Sequence, residues 1–149
     1  MRKRTRLSQI SVELEEQLAF ATKGQRLLAS GKASEIALKR NGLKDAILDQ
    51  AFESISKGTP SDDIRIELEK LVEEYDAVYF DLQDAHDRGD AEKPEVLRAF
   101  AKARAVNAVL YAIQFEKRKF AEETFYEAHA ASVSIEELRK IVEQIGDTK

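Results

Sequence analysis

Residues 62–88 carry the pattern that most narrows the choice of fold. Ile64, Leu68, Leu71, Val72, Tyr75, Val78, Tyr79 and Leu82 recur at three- and four-residue intervals, and on a helix all of them fall within about 60° of one line. Ser61 stands where an N-cap is needed, and Asp62 and Asp63 follow in the first turn, where the helix dipole favours acids. The spacing predicts one long amphipathic helix.

The rest of the chain reads in the same period. No segment alternates apolar and polar residues long enough for a strand, so the sheet content should be near zero. Gly31, Gly42, Gly58, Gly89 and Gly146 fall where helices should end, and Pro60 and Pro94 at or near starts. A first helix over 8–29 places Leu7, Leu14, Ala21 and Leu28 at seven-residue spacing, with Leu18 and Phe20 widening the face. Gly24 inside it costs about 1 kcal/mol relative to Ala and marks a kink or a close helix approach. A short segment over 33–40 and a helix over 43–57 come next. Pro94 then opens a long helix continuing to 131, and Ser134, Glu137, Val133 and Leu138 supply a capping box and staple for the last helix.

Short connections between long helices make neighbours antiparallel. The expected fold is all-α: a compact antiparallel bundle of about five or six helices, with one long central helix and a hairpin between the 62–88 and Pro94 helices. Residues 8–149 form a single domain behind a basic, flexible arm at 1–7.

Composition removes much chemistry. The 149 residues include no cysteine and only His86 and His129, which excludes disulfides, thiolate nucleophiles and cysteine-bound metals. No glycine-rich phosphate loop or nucleophile elbow occurs, and no cofactor is implied. The longest apolar stretch, over 105–115, contains Asn107 and Gln114 and falls far short of the roughly 20 residues that span a bilayer. With no apolar run after Met1 to suggest export, a cytoplasmic protein is expected.

Three functional readings follow from the residues. Over 99–115 the Pro94 helix is apolar on more than one side, with Val106, Leu110 and Ile113 opposite Ala101, Ala108, Ala112 and Phe115. Such a helix is central to a bundle or lies in a subunit interface. With the aromatic end at Phe120, Phe125 and Tyr126, this predicts a non-enzymatic protein that self-associates, first of all as a homodimer, or binds a protein partner.

The second reading comes from charge. The net charge is −4, yet residues 1–44 hold ten Lys or Arg against four Glu. Arg2, Lys3, Arg4 and Arg6 could bind nucleic acid by counterion release. Asp45, Asp49 and Glu53 on the following helix would repel phosphate, which disfavours base reading.

The third reading is a carboxylate-bound magnesium or manganese hydrolase, with Glu69, Glu73 and Asp76 projecting at i, i+4 and i+7. The Glu-x-x-His unit of di-iron bundles is absent, because Gln83 and Tyr126 stand three residues before the two histidines. Helix charge runs of this kind are usually solvated, and Asp84 and Asp87 should meet Arg98 and Lys102 as surface pairs.

Overall fold

The computed structural model describes residues 4–117 and 119–146. Their chain order is a 3₁₀ turn at Arg6–Gln9, then α1 (Val12–Phe20), α2 (Lys23–Arg40), α3 (Ala46–Lys57), α4 (Asp62–Asp87), α5 (Lys93–Ala112), α6 (Phe120–Ala130) and α7 (Ile135–Gly146). No strand occurs among the described residues. The architecture is the expected antiparallel helical bundle; among the described residues the α-helices number seven, because two expected long helices are each broken and the segment expected over 33–40 is continuous with the second part of the first, as α2.

The first break separates α1 from α2. Ser11 caps α1 by accepting from the Leu14 N–H. Thr22 and Gln25 then form a second capping box, the Thr22 Oγ1 accepting from Gln25 N–H at 3.1 Å and the Gln25 side chain returning to Thr22 N–H at 2.9 Å. The chain therefore turns at Ala21. Leu14 and Leu18 stay buried, but Phe20 is 89% exposed and Leu28 53%, so the expected common face does not extend across the break. Gly24 sits in the first turn of α2 with open space around it, neither kink nor close approach.

Gly31, expected to end a helix, lies inside α2. A Cβ there would stand 3.2 Å from Ile55 Cγ2, so glycine is what lets α3 pack this closely. The buried small residues Ala29, Ser30, Ala33, Ser34 and Ala37 line the inner side of α2, which packs on α5 and α6. Asn41 closes the helix end by donating to Ala37 O and to Ala131 O, at 2.8 and 2.9 Å.

The second break falls between α5 and α6, where the expected 94–131 helix turns back with Lys119 at φ 77°. Folding back lets α6 bury Phe125 and Ala128 completely. Core burial of a phenylalanine gains roughly 2–3 kcal/mol, more than the cost of about 1 kcal/mol for a non-glycine residue in the left-handed region.

The α4–α5 hairpin forms as expected, and it is the most extensive helix pairing. Gly89 at φ 84° ends α4 in a Schellman motif, with Asp90 N–H donating to Ala85 O and Gly89 N–H to His86 O. The capping box at Ser134 and Glu137 also forms, with Val133 and Leu138 buried beside it. The core gathers around α5, which touches α2, α3, α4 and α6.

Candidate association surface and buried charge network

The enclosure of α5 decides the fate of the expected interface. Val106 is 0% exposed, Ile113 4% and Phe125 0%, and Leu110 is partly buried against the same core. Helices α2, α3, α4 and α6 of the chain itself pack around α5, so its extra apolar faces are satisfied internally. That corrects the expectation that Val106, Ile113 and Phe125 present themselves to a partner. Phe120 packs edge-on to Tyr111 at 5.3 Å, and Tyr126 lies under the Arg6 guanidinium at 4.3 Å.

The basic segment is likewise engaged. Arg4 Nη1 donates to Glu15 Oε1 at 2.7 Å, and both the N–H and the hydroxyl of Thr5 donate to Glu15 Oε2 at 2.7 Å. Leu7 is fully buried. Residues 4–7, expected to be a loose arm, are docked on the bundle, while Arg2 and Lys3 lie outside the described residues. Burial alone would raise the Glu15 carboxyl, but the Thr5 and Arg4 donors outweigh it and hold its pKa at about 2.

Arg6 belongs to a network that ties four separate elements together. It donates to Glu123 Oε2 from Nε at 2.8 Å and from Nη2 at 2.5 Å, and to Glu127 Oε1 at 3.0 Å. Glu127 is 1% exposed and also accepts from Arg104 Nη1 at 3.1 Å, while Arg104 Nη2 donates to Asp76 Oδ1 at 2.9 Å. Burial pulls the Arg6 pKa down, and the two carboxylates more than reverse it. Tyr111, beside this cluster, is raised by burial and then by Glu123. Removing either guanidinium would leave the Glu127 carboxylate buried with less compensation, a strongly destabilising change, which suits a structural clasp.

The acidic stripe on α4 is dispersed rather than convergent. Glu69 pairs with Arg65 at 2.6 Å, Asp76 with Arg104, Glu73 points to solvent, and Asp87 accepts from Gln83 at 3.0 Å. Among the described residues no group of three or more His, Asp or Glu side chains could hold a metal ion. The ion pair joining α4 to α5 is Asp76–Arg104, not Asp84 or Asp87 with Arg98 or Lys102. Both histidines brace turns, His86 Nδ1 donating to Ala91 O at 2.9 Å and His129 Nδ1 to Val133 O at 3.0 Å.

Among the described residues two open surfaces stand out, and sequence reasoning identified neither. Thr124 Oγ1 donates to Ala108 O and Arg104 to Glu127, an antiparallel register that brings the end of α6 near Ala101. On the same side of the hairpin, one turn beyond, Leu97 on α5 is 53% exposed and Phe80 on α4 59%. Tyr79 packs on both Phe80 and Phe100 at 5.2 Å. Tyr79, Phe80 and Phe100 form an aromatic cluster, and Leu97 lies one helical turn before Phe100 on α5. The second surface is a groove of about 630 Å³ between α1, α2 and α7, floored by Leu18, Ala29, Val142 and Ile145.

Among the described residues no helix is long and apolar enough to cross a membrane. No family model matches the chain, and no curated protein or solved structure proves significantly similar to it.

Proposed function

We propose that the protein is a non-catalytic association domain that forms a homodimer through the outer part of the α4–α5 hairpin. The observation that carries this reading is the exposure of Phe80 and Leu97 on that hairpin, with Phe80 in the aromatic cluster of Tyr79 and Phe100. Large exposed side chains grouped on one face mark interaction sites more often than scattered ones do.

Charge supports a second copy as the partner. α4 carries ten acids against two cations, and α5 four cations against one acid. Two hairpins packed face to face about a two-fold axis parallel to their helices lay each α4 on the other copy's α5, and in that arrangement these opposite charges meet across the interface. Burying Phe80 and Leu97 on both copies contributes roughly 4–6 kcal/mol before the cost of association. That gain only about matches the least cost of association, roughly 4 kcal/mol, so the opposed charges must contribute as well and the expected dimer is weak, with a dissociation constant of about 1 mM.

Sedimentation equilibrium from about 1 µM to 1 mM tests the reading, with Phe80→Asp/Leu97→Asp as the comparison. The wild-type chain should dimerise and the variant remain monomeric with an unchanged melting temperature. A wild-type monomer at the highest concentration refutes self-association.

A further inference from the structure

The groove between α1, α2 and α7 has a different chemistry from the hairpin patch. Its floor is aliphatic, and Phe20 stands at its lip, 89% exposed at the end of α1. Among the described residues that line it, the charged ones are all acidic: Glu13, Glu16 and Glu143, each exposed. Arg4 and Arg139 form long ion pairs with Glu16 and Glu13, at 3.7 and 3.9 Å, longer than a direct charge-assisted hydrogen bond, so a basic partner would share these two carboxylates with them. The Gln17 Oε1 in its wall accepts no hydrogen bond. The volume of about 630 Å³ falls within the usual range for binding clefts.

We propose that this groove binds a cationic amphipathic helix of a partner protein. Apolar anchors at i, i+3/i+4 and i+7 on one face of such a helix would enter the floor and pack on Phe20. Its lysines or arginines would reach the three rim carboxylates, an arrangement that rejects acidic helices as firmly as it attracts basic ones. This surface lies on elements separate from the hairpin, so it does not depend on the dimer.

The probe is a synthetic peptide of about 18 residues built from Leu and Lys at helical period. Its Leu/Glu counterpart and a scrambled Leu/Lys peptide serve as controls, and all three are titrated into the isotope-labelled full chain by NMR. The Leu/Lys helix should bind with a dissociation constant below about 100 µM at low salt, weakening roughly tenfold at about 0.3 M salt. Amide shifts should concentrate at Ala21, Gln25, Val142 and Ile145. Glu16→Lys/Glu143→Lys should weaken binding about tenfold and Phe20→Asp about fivefold, and all three positions are exposed enough to leave folding intact. Equal binding of the scrambled or acidic peptide, shifts confined to other helices, or unaltered binding by the charge-reversed variant would overturn the assignment. So would a charge-reversed variant that loses dimerisation instead, since the occupant would then be a second copy.

Discussion

Glu15 lies 1% exposed beneath the N-terminal segment, and Glu15→Gln measures how firmly that segment is held. Its carboxylate accepts from Thr5 N–H, Thr5 Oγ1 and Arg4, which lowers its pKa from 4.5 to about 2. A displacement of that size corresponds to about 3 kcal/mol of linked stability. The solvent around the half-exposed Arg4 screens part of the interaction, leaving roughly 2 kcal/mol. A depressed carboxylate pKa stabilises the fold above the unfolded value and loses that stabilisation as pH falls toward the folded value. The window here runs from pH 4.5 down to about 2. The glutamine variant has nothing to titrate at this position.

Urea unfolding followed by far-ultraviolet circular dichroism should therefore separate the two proteins by roughly 2 kcal/mol at pH 7, about 1 M in midpoint. The gap should shrink by about 1.4 kcal/mol at pH 3.5. An equal gap at both pH values, or one under about 0.5 kcal/mol at pH 7, refutes the account of Glu15 as a charged anchor for residues 4–7.

Two further substitutions probe the packing. Gly31→Val should destabilise by about 1–3 kcal/mol despite the helix preference against glycine, because its Cβ meets Ile55; adding Ile55→Ala should recover part of the loss, and full additivity in chemical denaturation would contradict the contact. Glu127→Gln leaves Arg6 and Arg104 with only Glu123 and Asp76, and should cost about 2–3 kcal/mol, a melting-temperature drop of roughly 5–10 °C; a drop under about 2 °C would mean the network holds without it.

Much of the bundle was legible because its signals are local. The apolar line on α4, the capping box at Ser134 and Glu137, and Gly42, Gly58 and Gly89 at positive φ act within a few residues of themselves. Thr22 and Gln25 belong with them: their box is written in the sequence, and the seven-residue repeat of Leu14, Ala21 and Leu28 obscured it. The break between α5 and α6 was not legible, since neither glycine nor proline marks it, and the burial of Phe125 favours it. Gly31 shows the same limit, for a glycine that ends a helix and one that admits a neighbour look alike until Ile55 is in place.

The candidate site divides along that line as well. Residue types alone settled the absence of thiol chemistry and the unusual apolarity of α5. Whether that apolarity faces a partner depended on how many helices surround it, and packing among α2, α4 and α6 covers it from within. Arg6, Asp76, Arg104 and Glu127 come from parts of the chain up to 121 residues apart, and no short-range preference records their meeting. Helix period and capping are properties of neighbours along the chain, so the sequence determines them unaided. Which face stays open is a property of neighbours in space, and the tertiary fold alone decided that Phe80, Leu97 and the groove beside Phe20 would stay exposed.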